Sequence, residues 1–425
     1  MLPFSPSRRA AALVPALAAV LALSACSPTP GAASEDALNV VTSTTQLADF
    51  AQQIGGDDIS LTSLLAPGAS AHHFDPSPKE LVALSQADVL ILNGAELEGF
   101  VDSAIEASGF SGTLITAADG LDLEEAKEIT AEGEEEAKTG KPTSEHDREH
   151  GHDADHAGHD HAEADHDHAE DGHDHAGETA AEHAEHAEHA EHAAEKAEDH
   201  ADHADHADHD HGAADEHAAD EHVGGDHADH DHGDVNPHLW TSPRYAAGMA
   251  EEVARGLAQA DPEHAAEYRE RAAAYGAQLA ELDAWVAEQF QRVPAEDRVL
   301  VSGHDSLRYY LHDYGIAYAG AIMPSFEDNA EPSAAELDAL AERIRERGVR
   351  AIFVESSMSP KLARTIAREA GVTVVDGEAL YADSLGAAGS GAETYVDATV
   401  HNTRVILEAW GEPVEPLPSG LGGTA

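Results

Sequence analysis

LNVVTSTTQLADFAQQIGGDDISLTSLL, residues 38–65, reads as strand, helix, strand. Leu38 to Thr42 is the first strand, Gln46 to Ile54 is a helix stopped by Gly55-Gly56, and Ile59 to Leu65 is a second strand closed by Pro67-Gly68. Onward from there the spacing predicts a helix over 78–86, a buried strand DVLIL over 88–92, a helix over 100–107 and a short strand over 113–116. The second half repeats the theme. RVLV at 298–301 leads to a helix near 305–313, then a strand over 316–321, a helix over 333–347, AIFVE at 351–355, a helix over 360–370, a strand over 372–375 and a last helix over 392–410. Alternation of this kind predicts parallel sheets with both faces covered. The expected fold class is therefore α/β, with two similar lobes.

Between the halves, Asp261-Pro262 is a helix start, with proline suited to the first helical position. Tyr268, Ala272, Tyr275, Leu279, Leu282 and Val286 follow as one apolar seam. A helix over 262–290 would span roughly 44 Å at about 1.5 Å per residue. It could join the lobes and limit hinge opening, or pack wholly within one of them; periodicity leaves both open. The division is then a signal at 1–25, a tether at 26–37, a first lobe at 38–259, a linking helix at 260–292, a second lobe at 293–413 and a flexible tail at 414–425.

The formal charge of −60 excludes a nucleic-acid clamp, which needs a basic face. A single cysteine, Cys26, excludes a disulfide framework and a Cys-type metal cluster. Arg8-Arg9 precede an apolar run, Ala10 to Leu23, that is too short for a stable membrane span and reads as a secretory signal. Leu23-Ser24-Ala25-Cys26 resembles a bacterial lipoprotein signal, in which the cysteine is lipidated and becomes the new N-terminus.

Of the 31 histidines, 24 lie between residues 144 and 233, among 31 acidic and two basic residues. Val223 is the only side chain there larger than alanine and aliphatic, so the segment cannot offset the entropy of ordering and is expected to be a disordered loop. Imidazole and carboxylate both bind zinc and similar ions, so the loop reads either as a metal sponge or as a solubilising acidic tract. Seven histidines remain: His72, His73, His238, His264, His304, His312 and His401. The last two and His264 fall in predicted helices and are assigned no role. His72 and His73 follow the second strand, and His304 follows RVLV; ligands collect at such strand ends in parallel α/β sheets.

PGASAHHFDPSP (67–78), NPHLW (236–240), SGHDSLRYYLHDYGI (302–316), EPSAAEL (331–337), IFVES (352–356) and LYADSLG (380–386) occur in the order seen in zinc and manganese solute-binding lipoproteins of ABC importers. The resemblance covers nearly all of the mature chain. It is closer to the zinc-binding branch, whose members also carry a His- and acid-rich loop at this point. It implies two α/β lobes joined by a rigid long helix, with one metal ion between them. By motif, the implied ligands are His72, His238, His304 and Asp383, with His72 rather than His73 matching the position before the Asp-Pro pair. Manganese binders of the family tend to have Glu where this chain has His304. Three imidazoles and one carboxylate suit four-coordinate Zn2+, whereas manganese prefers more oxygen.

The family often has Asp where this chain has Asn236, and an acidic residue near Thr241-Ser242, which leaves the outer partner of His238 open. Glu355 is either an outer partner of the site or a strand-end carboxylate facing water. The resemblance further implies a monomeric, non-enzymatic protein, lipid-anchored at Cys26 on the outer face of the cytoplasmic membrane, delivering zinc to an ABC permease. A manganese-importer component and a surface metal buffer or adhesin are the alternatives. A zinc hydrolase is disfavoured, since HExxH is absent and four protein ligands leave no position for water.

Overall fold

The computed structural model describes residues 37–70, 72, 74–139, 235–323, 325 and 332–421. The signal, Cys26, the tether, His73 and the insert at 144–233 lie outside the described residues. The first lobe contains β1 (Leu38–Thr42), α1 (Thr45–Gly55), β2 (Ile59–Ser63), α2 (Pro78–Ser85), β3 (Val89–Leu92), α3 (Val101–Ser108), β4 (Thr113–Thr116), α4 (Leu123–Thr139) and α5 (Pro243–Ala260). Then come α6 (Ala265–Gln291) and the second lobe: β5 (Val299–Ser302), α7 (Arg308–Asp313), β6 (Ala317–Ala321), α8 (Ala334–Glu346), β7 (Ala351–Glu355), α9 (Lys361–Ala370), β8 (Thr373–Leu380) and α10 (Tyr395–Trp410).

Each lobe has one parallel four-stranded sheet, and the strand orders match: β2-β1-β3-β4 and β6-β5-β7-β8. In both, the chain steps outward once and then crosses back. The topological switch therefore falls between β1 and β3, and between β5 and β7, where crevices open at the carboxyl ends. The inner strands β3, β5 and β7 are buried throughout, which is why they read as unbroken apolar runs. Edge strands β2 and β4 are more polar and more exposed.

Helix starts follow local chemistry. Ser77 with Glu80 and Ser333 with Glu336 form capping boxes at α2 and α8, and Ser242 caps α5 with Pro243 in its first turn. The long helix begins at Ala265, three residues later than the sequence suggests. Asp261 instead accepts the Glu263 N–H and the Tyr268 hydroxyl, which holds Pro262 in a turn ahead of the helix. At 27 residues it is roughly 40 Å long.

It joins the lobes. Near its start Arg271 donates to the Ile54 and Gly55 carbonyls and pairs with Asp58 in the first lobe. Near its end Phe290 packs among Tyr310, Tyr314 and Trp410 of the second lobe. One apolar core runs from β1 and α1 through α5 and α6 to β7 and α10. Each sheet also has a separate core on its other face.

Two helices go beyond the sequence reading. In α4 only Ala126, Ile129, Thr130 and Gly133 are buried, a narrow stripe in a glutamate-rich run. Gly133 is required there, because a Cβ would fall 1.0 Å from the Arg308 guanidinium beneath it. In α5 Tyr245, Met249, Val253 and Leu257 form a buried seam at every fourth position, a helical spacing present in the sequence, and alanines and a glycine fill much of the rest of that face. The expected tail also differs as far as Leu421. Glu415 contacts Gln289 and Arg292 of the α6 end, and Leu421 is buried.

Candidate metal centre

Three strand ends, those of β2, β5 and β8, and the turn before α5 supply the four side chains of the site. His72 lies in the loop after β2, where the Ser70 hydroxyl accepts its backbone N–H at 3.2 Å. His238 precedes a 3-10 turn, Leu239–Thr241, and Asn93 at the end of β3 donates to the Pro237 carbonyl at 3.0 Å, fixing that turn on the first sheet. Asn93 is itself held by Glu98, whose carboxylate accepts its backbone N–H at 2.6 Å and the Ser43 hydroxyl at 2.6 Å, tying the ends of β1 and β3. Burial pushes the Glu98 carboxyl up from its ordinary range.

His304 sits two residues past β5. Ser302 donates to its carbonyl at 2.6 Å, and Glu355, the last residue of β7, accepts the Gly303 N–H at 3.0 Å and the Ser306 hydroxyl at 2.9 Å. The Glu355 carboxylate is 1% exposed and lies 3.4 Å from His304 Nδ1, so it belongs to the buried surround of the site and does not face water.

Asp383 follows β8 in the second lobe, yet first-lobe residues hold its loop. Gln46 and Trp240 donate to the Ala382 carbonyl at 3.0 and 2.7 Å, Thr45 accepts the Leu385 N–H at 2.8 Å, and Gly68 donates to Ser384 at 2.8 Å. Ser357 donates to Asp383 Oδ2. Of these, Gln46 carries no sequence signal for the site, because its role exists only once the lobes meet, and Ser357 reaches Asp383 only because the turns after β7 and β8 lie side by side in the second lobe.

The four residues singled out by motif converge. Each offers one donor atom, all within 4.8 Å of one another. His72 Nε2 is 3.0 Å from His238 Nε2, His238 Nε2 is 3.4 Å from Asp383 Oδ1, and His304 Nε2 is 3.1 Å from the same oxygen. Tetrahedral ligands at about 2.0–2.1 Å from zinc stand roughly 3.3 Å apart, so these three separations fit a cation-sized cage. His238, His304 and Asp383 are fully buried and His72 is half-buried. Both ring nitrogens of His304 and Asp383 Oδ1 lack hydrogen-bond partners, although they lie close together. Buried polar atoms are rarely left so, and a bound cation satisfies them. By contrast, His264 pairs with Asp261, His312 with Asp313, and His401 with the Ala379 carbonyl, all away from the cage.

Charge in the cage is shared unequally. Burial works against the His304 imidazolium, but Asp383 and Glu355 outweigh it and hold its pKa well above the ordinary histidine value. For His238 burial wins, aided by the charge on His304, and the pKa falls. Burial alone would raise Asp383; His304 and His238 instead hold it well below the carboxylate range. A dication held by these donors would take the place of protons on them, because metal ligands bind deprotonated.

A two-lobed α/β protein with a His3Asp cage at the facing strand ends is a metal-binding protein of the solute-capturing kind. Residues 40–409 match the family model described as zinc-uptake complex component A, periplasmic (ZnuA), and the chain belongs to that family, the extracytoplasmic metal-binding lipoproteins of ABC-type import systems. It is therefore a transport protein and not an enzyme. The manganese-binding lipoprotein MntA of Bacillus subtilis is 24% identical over 92% of this chain and 96% of its own length. The zinc-binding protein TroA of Treponema pallidum is 34% identical over 41% of this chain and 57% of its own. A solved structure of the periplasmic zinc-binding protein TroA superposes with a TM-score of 0.58 at 21% identity, covering 87% of this chain and 98% of that one, a likeness of fold.

Proposed function

We propose that the chain captures one Zn2+ with His72, His238, His304 and Asp383 and hands it to the permease of an ABC importer, while lipid on Cys26 keeps it at the outer face of the cytoplasmic membrane. The observation that carries this reading is the donor set: three imidazole nitrogens and one carboxylate oxygen within 4.8 Å. That set matches four-coordinate zinc, and manganese favours oxygen-rich octahedral sites. The manganese reading is supported by the names of two relatives, the MntA lipoproteins of B. subtilis, matched along most of the chain, and of Halalkalibacterium halodurans.

Affinity alone does not separate the two, because zinc outranks manganese at almost any nitrogen–oxygen site. Cobalt(II) loaded in place of the native ion reports geometry: intense visible bands are expected for a four-coordinate cage. Weak octahedral bands, together with a deletion strain that fails on low manganese and grows on low zinc, would favour the manganese importer.

The insert at 144–233 is proposed to gather zinc near the cage. Deleting it is expected to lower the number of weakly bound zinc ions and leave one tight site, as read by elemental analysis after graded chelation. An unchanged zinc count removes the gathering role. If growth on low zinc returns with the shortened protein, a mere surface buffer is ruled out.

A further inference from the structure

Asn236 stands where the family often has Asp, and it is fully buried beside His238. Its side-chain amide is oriented by two contacts that do not involve the imidazole. Oδ1 accepts the backbone N–H of His238 at 3.0 Å, and Nδ2 donates to the backbone carbonyl of Asp305 at 2.6 Å. The backbone of Asn236 is held as well, its N–H on the Thr130 hydroxyl at 2.9 Å and its carbonyl under the Tyr309 hydroxyl at 2.6 Å. With the amide fixed, His238 Nδ1 faces Oδ1 at 2.8 Å, an atom that can only accept. The ring proton therefore sits on Nδ1, and Nε2 presents a bare lone pair to the cage.

The other tautomer would be damaging. A proton on Nε2 would find ready acceptors in His72 Nε2 at 3.0 Å and Asp383 Oδ1 at 3.4 Å. A cation would then meet an N–H where it needs a lone pair.

We propose that Asn236 is a positioning residue with two tasks: it keeps the proton of His238 off the metal-facing nitrogen, and through the same amide it ties the first-lobe turn bearing His238 to the second-lobe turn bearing His304. Aspartate could do the first task and not the second, because its other oxygen would meet the Asp305 carbonyl oxygen where the structure has a hydrogen bond. The proposal rests on the metal-binding reading of the cage, and it goes further by giving the chain's departure from the family pattern a purpose.

The test uses the full chain stripped of metal, with long-range nitrogen-15 correlations of the His238 ring, followed by zinc titration against a chelator. The wild type and Asn236→Asp are expected to show the Nδ1–H tautomer, and Asn236→Ala to shift toward Nε2–H. Zinc affinity is expected to fall about 10- to 100-fold in Asn236→Ala, the usual cost of losing an outer partner. In Asn236→Asp, weaker binding with the tautomer retained is expected, since only the tie to Asp305 is lost. An Nε2–H tautomer in the wild type overturns the proposal even if no variant folds. Wild-type tautomer and affinity in Asn236→Ala overturn it as well. A wild type that binds no zinc at all would instead sink the reading of the cage, leaving the tautomer result to stand.

Discussion

Replacing His304 by alanine is expected to weaken zinc binding by well over 100-fold, since removal of an outer partner alone costs about 10- to 100-fold. The variant loses one of four donors and also the group that compensates Asp383. That carboxylate is fully buried, and His304 is the strongest influence holding it ionised. Breaking a buried pair by removing one partner costs about 3–5 kcal/mol. The metal-free variant should therefore also unfold at a lower denaturant concentration. His72→Ala gives the contrast. His72 is half-buried and contacts the cage through His238, so its loss should weaken zinc binding while changing the metal-free stability little. Chelator competition and denaturant unfolding, each with and without metal, separate the two effects. If His72→Ala, His238→Ala and His304→Ala all held zinc as the wild type does, the ligand assignment would be wrong.

What could be read from the sequence follows from burial. Strand β7 falls where its AIFVE run does, because an inner strand of a parallel sheet is buried on both faces and reads as one nearly unbroken apolar run. The spacing of large residues also marks α5, where Tyr245, Met249, Val253 and Leu257 are buried at every fourth position. It fails for α4, where the buried stripe is narrow and Gly133 faces the Arg308 guanidinium of the other lobe. The cage divides in the same way. His72 and His304 stand beyond strand ends, a position with chemical meaning; His238 has only its Asn236-Pro237 setting beyond the insert to mark it, and Asp383 has motif order alone. Asn236 and Gln46 act only across the junction of the lobes, and Ser357 acts between two turns of the second lobe that are far apart in the chain. Asn236 reaches the Asp305 carbonyl, Gln46 the Ala382 carbonyl and Ser357 the Asp383 carboxylate, and a linear sequence carries no mark of such meetings.

Glu355 separates stability from metal binding more sharply than any ligand does. Its buried carboxylate accepts the Gly303 N–H and the Ser306 hydroxyl, and its Oε1 faces His304 Nδ1. Glu355→Ala leaves at least two buried donors without acceptors, at about 1–3 kcal/mol each. The metal-free protein should lose roughly 2–6 kcal/mol of stability. Glu355→Gln is expected to behave differently. The Gly303 N–H is fixed and needs an oxygen, so the glutamine carbonyl must turn toward it. The amide NH2 then points at Ser306, which can rotate its hydroxyl to accept, and toward His304 Nδ1, which can no longer donate there. With no acceptor at Nδ1, the neutral His304 ring favours keeping its proton on Nε2, the atom 3.1 Å from Asp383 Oδ1 in the cage. The buried His304 backbone N–H, 3.4 Å from Oε1, would face that NH2, so stability should fall, but by less than in Glu355→Ala, while zinc affinity falls about 10- to 100-fold, close to the loss in Glu355→Ala. Urea unfolding of the stripped proteins and chelator competition read the two quantities separately. Glu355→Gln binding zinc as tightly as the wild type would show that Glu355 only braces the β5 turn and does not set which nitrogen of His304 meets the metal.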